Sequence, residues 1–394
     1  MLVGIVGKPN AGKSTFFKAL TLAEVAIANY PFTTIKANEG VGFVKVECVE
    51  KELNVKCQPN HGFCIKGFRF IPVKLLDVAG LVPKAYLGKG LGNKFLDDLR
   101  QADVLIHVVD ASGLTNEEGK PTTNYDVTKD ISFLENEIDM WLYSIIERNW
   151  SLLSRKAQSE AKPIKYIADQ LSGLKITEGM IKKAIAELDL SENFWLWTKE
   201  QLLSFVRKVR EISKPMVIAA NKVDIEKARE NLKKLKEFFP NKIIVPCSAE
   251  SELILREAAR EKLIEYVPGE TSFKMYEEKL SEKQKKALEL IEEKVLKIFN
   301  TTGVQECLNK AIFSLLNYIV VYPVENEFKF TDKNGKVLPD AFLMPKGSKA
   351  IDLAYAIHTE IGNSFVSAID AKTKKRLSKD YELKHNDVIK IITK

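Results

Sequence analysis

Near the start of the chain stand the residues Gly7-Lys8-Pro9-Asn10-Ala11-Gly12-Lys13-Ser14. They lie between an apolar run, Leu2 to Val6, and a helix-like stretch that starts at Thr15. In this order of strand, glycine-rich loop and helix, backbone N–H groups and the helix N-terminus surround the α- and β-phosphates of a nucleotide. Lys13 then reaches the β- and γ-phosphates, and the Ser14 hydroxyl binds Mg²⁺. We therefore predict that all eight residues, together with Thr15, bind a nucleoside triphosphate.

Short apolar runs recur downstream and alternate with helical patterns. They are Phe70 to Leu76, Val104 to Val109, Met216 to Ala220 and Ile243 to Pro246. Such alternation is typical of a mostly parallel sheet with helices on both faces. The sequence therefore predicts an α/β fold of the P-loop NTPase class.

One connection in this pattern is too long for a single crossover helix. About 110 residues separate Asp110 from Asn221, whereas a whole strand–helix–strand unit takes about 30. From Asp130 onward apolar residues recur at helical spacing, and all four tryptophans of the chain fall in this stretch. We predict a helical, coiled-coil-like insertion. Its basic side chains suit either an RNA surface or, as we favour, an ordinary solvated face.

The pattern changes again near Tyr318, where short strands follow helical stretches. A turn at Asp332 to Gly335, a helix from Ser348 to Glu360 and further strands suit a small β-grasp-like α+β module. We therefore divide the chain into four segments. They are the first part of the nucleotide domain (1–124), the helical insertion (125–211), the second part with connecting helices (212–317) and the C-terminal domain (318–394).

Composition and charge limit the partners. Of 394 residues, 60 are Lys or Arg and 53 are Asp or Glu, which gives a net charge of +7. This charge is spread along the chain, so attraction to nucleic acid must come from local patches. The first strand leaves no room for a secretory signal, and the apolar runs are too short to span a membrane. We expect a cytoplasmic monomer without a membrane partner.

Two further motifs suit a Mg²⁺–triphosphate complex. Asp77 ends the apolar run before Gly80, so its carboxylate emerges at the edge of the sheet where ligands of such folds bind. Asp77 is the predicted Mg²⁺ aspartate, and the Gly80 N–H can meet the γ-phosphate. Upstream, we assign Thr34, in preference to Thr33, as the hydroxyl that completes the Mg²⁺ shell when a γ-phosphate is present.

The base of the bound nucleotide is predicted from a second motif, Asn221-Lys222-Val223-Asp224, which follows the apolar run ending at Ala220. The Asp224 carboxylate can accept hydrogen bonds from N1–H and the exocyclic amino group of guanine, and adenine offers neither donor there. Downstream, Ser248 and Ala249 follow another apolar run, and the Ala249 N–H can address guanine O6. These motifs, in this order, predict GTP as the ligand.

Three of the five cysteines, Cys48, Cys57 and Cys64, are close in sequence, with His61 between the last two. Four soft ligands suit zinc, but their spacing matches no common Cys-x-x-Cys knuckle. The segment looks like two strands around a turn at residues 58–62. A disulfide across that hairpin is disfavoured in a reducing cytosol. Neutral thiols are the default prediction, and zinc is the alternative.

Together these motifs resemble the Obg-related translation-factor GTPases, specifically the YchF or Obg-like ATPase group. The resemblance covers essentially the whole chain and is most specific at Gly7 to Ser14, Asn29 to Thr34, Asp77 to Val82 and Leu91 to Leu96. The tail from Tyr318 to Lys394 is similar to a TGS domain. The resemblance implies work on the ribosome, through its large subunit, or on RNA.

Leu81 stands where Ras-type GTPases place the glutamine that orients the attacking water during hydrolysis. Leucine cannot align water, so intrinsic turnover should be slow unless an ion, another side chain or a partner helps. Asn10 matches the position that helps to coordinate K⁺ in related potassium-stimulated GTPases. The resemblance thus implies K⁺ activation. The expected catalytic residues are Asn10, Lys13, Thr34 and Gly80.

The sequence as a whole predicts a Mg²⁺-dependent, slow GTP hydrolase that acts as a nucleotide switch. Two alternatives stay open: an ATPase of the same fold, and a nucleotide-gated RNA- or ribosome-binding module with negligible turnover. Family members noted for ATP preference have an altered base motif, whereas this chain keeps Asn221-Lys222-Val223-Asp224. This motif favours GTP.

Overall fold

The computed structural model describes residues 1–22, 38–78, 95 and 98–394. The predictions for Thr34, Gly80 and Leu81 lie outside the described residues. The same holds for the motif Asn29 to Thr34 and, apart from Phe95, for Leu91 to Leu96.

The nucleotide domain is built on a mostly parallel seven-stranded sheet. Its strands are β1 (Leu2–Val6), β2 (Glu39–Glu47), β3 (Phe63–Ile65), β4 (Phe68–Asp77), β5 (Val104–Asp110), β6 (Met216–Asn221) and β7 (Ile243–Pro246). The order is β2-β4-β1-β5-β6-β7, and β3 pairs with β4. Pairs from β4 to β7 are parallel, whereas β2 and β3 run antiparallel to β4. Every residue of β5 is buried, as in a sheet covered on both faces. The predicted fold class is confirmed.

The helices of the described residues are divided among the nucleotide domain, the insertion, the connecting segment and the C-terminal domain. Their bounds are α1 (Lys13–Thr21), α2 (Glu50–Leu53), α3 (Thr128–Gln158), α4 (Pro163–Leu171), α5 (Glu178–Glu187), α6 (Lys199–Ser213), α7 (Glu226–Phe238), α8 (Ala249–Arg260), α9 (Glu282–Ile291), α10 (Lys297–Phe299), α11 (Val304–Asn309), α12 (Ala350–Ile357) and α13 (Thr359–Asn363). A π-helical turn, Glu292–Leu296, joins α9 to α10, and another, Lys310–Leu315, follows α11.

Helices α3 to α6 form the insertion between β5 and β6. The 31-residue α3 packs against α6 around an aromatic cluster, in which Trp150 stacks on Trp197 with ring centroids 5.6 Å apart. A capping box starts α6, because Thr198 accepts from the Gln201 N–H and Gln201 accepts from the Thr198 N–H. This core is continuous with the face of the sheet that carries Val6 and Leu105. The insertion is therefore packed directly onto the nucleotide domain.

The C-terminal domain has a five-stranded sheet in the order β11-β10-β14-β12-β13. Its strands are β10 (Tyr318–Val324), β11 (Phe342–Pro345), β12 (Phe365–Asp370), β13 (Arg376–Leu377) and β14 (Asp387–Thr393), and a short pair, β8 (Ile264–Glu265) and β9 (Lys274–Met275), precedes them. The predicted helix from Ser348 to Glu360 is divided at His358, whose extended backbone (φ −163°) separates α12 from α13.

The predicted hairpin around residues 58–62 is wrong. Residues 50–53 form the short helix α2, and β3 instead pairs with β4 across the tight turn Lys66-Gly67, where φ is positive at both residues. Such a turn matches the twist of a hairpin. Because β3 is already paired with β4, the backbone of the loop at residues 54–62 forms hydrogen bonds with other parts of the chain.

No helix within the described ranges is long and apolar enough to cross a membrane.

Candidate functional site

The phosphate loop joins β1 to α1, and its backbone requires glycine at two positions. Gly12 is the N-cap of α1 and has φ +92°. A Cβ added to Gly12 would lie 2.2 Å from Nδ2 of Asn221, and one added to Gly7 would lie 2.6 Å from the Val108 carbonyl oxygen. These glycines therefore allow the close approaches that shape the loop.

The predicted metal-binding and phosphate-binding side chains converge at the end of β1. Ile5 of β1 is the register partner of Asp77 at the end of β4. The Asp77 carboxylate contacts the ammonium group of Lys13, and Ser14 is exposed in the first turn of α1. The ammonium group and the carboxylate thus meet beside the start of α1, where Ser14 also lies, and carboxylate and hydroxyl oxygens of this kind suit Mg²⁺.

Asn10, the predicted K⁺ ligand, is exposed and has φ +62°. Its side-chain Nδ2 donates to the carbonyl oxygen of Gly119 at 3.0 Å. A Cβ on Gly119 would lie 2.4 Å from the Pro9 carbonyl oxygen, so a glycine is needed for this approach. The loop around Gly119 therefore supports the phosphate loop, and the sequence analysis did not identify it.

Lys8 was assigned to triphosphate binding, but its side chain is buried against the helical insertion. Its Nζ lies 2.9 Å from Oδ2 of Asp130, and each side chain is 4% exposed. Nζ also donates to the Thr115 carbonyl oxygen at 2.8 Å and lies 4.1 Å from the Tyr125 ring centroid. Burial raises the pKa of Asp130 more than Lys8 lowers it. The Lys8 side chain thus fastens the phosphate loop to α3, and only its backbone remains for a nucleotide.

Asn221 connects the phosphate loop with the two base motifs. Its buried side chain donates from Nδ2 to the Ala11 carbonyl oxygen at 2.9 Å. Its Oδ1 accepts from the Ala249 N–H, also at 2.9 Å. One amide therefore fixes the position of the α8 N-terminus relative to the loop that precedes α1.

Asp224 is held by the first residue before α8. The Ser248 hydroxyl donates to Oδ1 of Asp224 at 2.8 Å and accepts the Ser251 N–H as the cap of the helix. Asp224 is partly exposed, while Ser248 and Ala249 are buried. The carboxylate is thus fixed in orientation and still accessible, as recognition of a base edge requires.

Lys222 bridges the phosphate loop and a buried carboxylate. Its Nζ donates to the Asn10 carbonyl oxygen and to Oδ2 of Asp110, both at 2.8 Å. Burial would raise the pKa of Asp110, but hydrogen bonds from Lys222, Ser112 and Thr115 outweigh it and lower that pKa. The sequence reasoning did not identify Asp110 as a support of the site, although its place at the end of β5 was a signal.

Two other features lie outside this site. His107 is buried in β5, and burial, with Lys8 and Lys242, lowers its pKa to about 3, so this histidine is a neutral group of the core. Cys48, Cys57 and Cys64 come together, but the fourth member of their group is Glu50. His61 is exposed and not in that group.

Protein-family models match most of the chain. A model described as "50S ribosome-binding GTPase" matches residues 2–143. The G4 motif-containing domain of the Obg-like GTPase YGR210-like family matches residues 219–326, and the TGS domain model matches residues 328–393.

Relatives match over nearly their full lengths. An uncharacterized GTP-binding protein of Methanocaldococcus jannaschii is 55% identical, with 100% of this chain and 99% of the relative covered. The ribosome-binding ATPase YchF of Bacillus subtilis is 30% identical, with 93% and 87% covered.

Among solved structures, a GTP-binding protein from Pyrococcus horikoshii is 41% identical, with a TM-score of 0.81 and both chains fully covered. The Schizosaccharomyces pombe YchF GTPase is 21% identical and shares the fold, with a TM-score of 0.59 and coverage of 100% and 97%.

Proposed function

The chain belongs to the YchF or Obg-like family of P-loop GTP-binding proteins, and from this premise we propose that it is a Mg²⁺-dependent, slow GTP hydrolase. In this proposal, the GTP-bound and GDP-bound forms of the protein are the two states of a switch that works on the ribosome. Lys13 and the loop N–H groups bind the phosphates, and Asp224 selects guanine.

The observation that carries this proposal is the linked geometry of Asn221, Ala249 and Asp224. Asn221 spans from the phosphate loop to the Ala249 N–H, and Ser248 orients the Asp224 carboxylate. The oriented Asp224 carboxylate complements the two donors of guanine. The Ala249 N–H, by contrast, already donates to Oδ1 of Asn221, so the predicted contact with guanine O6 is not available in this arrangement. Adenine would leave the carboxylate unpaired, at a cost of about 1–3 kcal/mol or more.

Magnesium fits the donor set proposed for it. Ser14 and Asp77 supply a hydroxyl and a carboxylate oxygen, and Thr34 would add a second hydroxyl; hard oxygen donors with substrate phosphates are typical Mg²⁺ ligands. When bound, the ion neutralises charge on the β- and γ-phosphates. Slow turnover follows from Leu81, and we assign Asn10 to a K⁺ that would compensate for the missing glutamine. Equal turnover in sodium and potassium buffers would remove this K⁺ role.

The ribosome is the proposed partner, through its large subunit and RNA. Support comes from relatives named ribosome-binding ATPase in Bacillus subtilis and Mycoplasma genitalium, which are 30% and 32% identical. The TGS match at residues 328–393 is consistent with a module that contacts a partner.

The deciding experiment is competitive binding of GTP and ATP to the full chain at matched Mg²⁺, followed by hydrolysis with and without ribosomes in K⁺. We expect GTP to displace a fluorescent guanine nucleotide at far lower concentration than ATP, and turnover to rise with ribosomes. The names of the YchF relatives favour ATPase activity as the second candidate. Equal or tighter binding of ATP would establish that candidate and refute guanine selection by Asp224.

A further inference from the structure

Three thiols and one carboxylate meet outside the phosphate site. The ligand-capable atoms of Cys48, Glu50, Cys57 and Cys64 all lie within 4.8 Å of one another, and we call these four residues the thiol cluster. Cys48 directly follows β2, Glu50 opens α2 and Cys64 lies in β3. Separate elements therefore bring the four side chains together, with Cys48 and Cys57 buried and the other two partly exposed.

The distances in the thiol cluster match a tetrahedral ion. With Zn–S bonds of about 2.3 Å, two sulfur ligands lie about 3.8 Å apart, and Sγ of Cys48 lies 3.8 Å from Sγ of Cys57. A sulfur and an oxygen ligand lie about 3.5 Å apart in the same geometry, and Sγ of Cys64 lies 3.3 Å from Oε1 of Glu50. A disulfide needs a separation of about 2.05 Å, so Cys48 and Cys57 are not joined, and both spacings are compatible with ligands of one ion.

We propose that the thiol cluster is a structural zinc site in which Cys48, Cys57, Cys64 and Glu50 bind one Zn²⁺. Soft thiolates select zinc over Mg²⁺, and four protein ligands close the coordination shell, as in structural sites. His61, the nearby histidine in sequence, is exposed and outside the cluster. Glu50 is therefore the fourth ligand.

The surroundings suit an anionic metal centre. Three thiolates and a carboxylate around Zn²⁺ carry a net negative charge. Lys51, Lys56 and Lys66 border the surface cavity that opens beside Cys57 and Cys64. Lys51 and Lys66 are also paired with Glu47 and Glu265, so only part of their charge can offset that of the centre, and the cavity gives an ion a path to the sulfur atoms.

The zinc site would fix a loop of the nucleotide domain that forms hydrogen bonds with the C-terminal domain. This docking loop, residues 54–62, donates from Gln58 N to the Val337 carbonyl oxygen and from Asn60 N to the Pro339 carbonyl oxygen, both at 2.8 Å. Cys57 anchors one part of the loop, and Cys64 follows its end. Bound zinc would therefore fix the docking loop from within the nucleotide domain.

The test is Co²⁺ and Zn²⁺ binding by the full-length protein, reduced, stripped with a chelator and kept in excess Mg²⁺. We expect one equivalent of Co²⁺ to give the intense visible bands of a tetrahedral site and a sulfur-to-cobalt charge-transfer band, and Zn²⁺ to abolish both. A metal at Ser14 and Asp77 would have oxygen ligands and no charge-transfer band, so the two sites are distinguishable.

Variants assign the ligands. Cys57→Ser and Cys64→Ser should lose the bound equivalent, and Glu50→Gln should weaken it. His61→Ala should keep it, as should the control Cys307→Ser, which removes a buried thiol paired with Cys247. If a cysteine variant fails to fold, the rate of alkylation of the native wild type gives the second measurement, because Zn²⁺ should slow the alkylation of the partly exposed Cys64 relative to the metal-free protein.

Three results would overturn the zinc site. One is the absence of a thiolate–cobalt spectrum in reduced wild type. Another is retention of the full metal equivalent by both Cys57→Ser and Cys64→Ser. The third is a freshly purified chain whose mass is lower by two hydrogens because two of these cysteines form a disulfide.

Discussion

At the scale of single residues, our proposal assigns the selection of guanine to the Asp224 carboxylate. Asp224→Asn replaces an acceptor of guanine donors with an amide that also presents N–H groups. GTP affinity should fall by roughly a hundredfold or more, while xanthine nucleotides, whose O2 accepts a hydrogen bond, should gain. Calorimetric titration with GTP and XTP checks this exchange.

The matched control is Asp169→Asn, which removes an exposed carboxylate on α4, far along the chain from the base motifs. It should bind GTP like wild type. Undiminished GTP affinity in Asp224→Asn would mean that this carboxylate does not contact the base.

Buried His107 makes the free energy of unfolding depend on pH. Its folded pKa is about 3, lowered first by burial, against an ordinary value of 6.5. Between these values the unfolded chain binds the proton and the folded chain does not, so stability falls as pH drops from 6.5 towards 3. The contribution is about 1.4 kcal/mol per pH unit well inside this window.

His107→Val should therefore lessen the fall in the free energy of unfolding between pH 7 and pH 5, measured by denaturant titration. Identical slopes for His107→Val and wild type would show that His107 is protonated in the folded state.

Residue-level prediction from sequence placed motif residues beside strand ends, and the structure shows contacts between some of them. Lys13 contacts Asp77, and Asn221 contacts Ala249, the residue after Ser248. The roles of these residues stay predictions. Prediction from sequence could not identify the partners of Lys8, because Asp130 is more than a hundred residues away and only the folded insertion brings the two side chains together.

At the scale of elements, Asn221 joins β6, the phosphate loop and α8. Asn221→Ala leaves the Ala249 N–H without its acceptor and frees the Ala11 carbonyl oxygen. The protein should lose about 1–3 kcal/mol of stability, and triphosphate affinity should fall because the loop is no longer fixed. Thermal denaturation with and without GTP measures both effects.

Asn231→Ala is the control, since its buried amide also donates to a backbone carbonyl, that of Ala111, at 2.8 Å on the α7 side. It should cost comparable stability but leave the stabilisation by GTP intact. If both variants lose the stabilisation by GTP equally, the contact of Asn221 with the phosphate loop does not contribute specifically to GTP binding.

Elements were predictable where local pattern decides them. Strands β1 and β7 have the predicted bounds, and the helical insertion follows from its apolar spacing. The loop before β3 was not predictable in this way, because its structure depends on two distant partners: β4, which pairs with β3, and residues 337–339, which accept the hydrogen bonds of the docking loop.

At the scale of the whole molecule, Arg69 joins two domains that sequence patterns treat separately. Its fully buried guanidinium donates to the carbonyl oxygens of Leu338 and Pro339, at 3.0 and 2.8 Å. An arginine in a strand gives no local sign of such a role. The relative placement of the C-terminal domain therefore depends on backbone carbonyls, which the sequence pattern does not specify.

The ion pair of Lys8 and Asp130 gives the phosphate loop a rigid connection to α3, the longest helix of the described insertion. Because Lys8 belongs to the loop and Asp130 to the first turn of α3, GTP binding that orders the loop should also order that turn. Hydrogen exchange of residues 128–134 should slow when a non-hydrolysable GTP analogue binds. The double variant Lys8→Met, Asp130→Leu removes both charges together. It therefore leaves no buried charge unpaired, a defect that would cost about 3–5 kcal/mol.

In the double variant the analogue should still bind, but exchange in residues 128–134 should no longer respond to it. The control is the pair Arg210→Met, Asp139→Leu, which replaces another buried ion pair of α3, 2.8 Å between Nε and Oδ1. That variant should perturb the insertion and still slow exchange on binding. Both double variants lose a buried ion pair of α3, so a loss of response in the first alone is due to the contact with Lys8. A response in the first double variant as large as in wild type would show that the coupling does not run through Lys8.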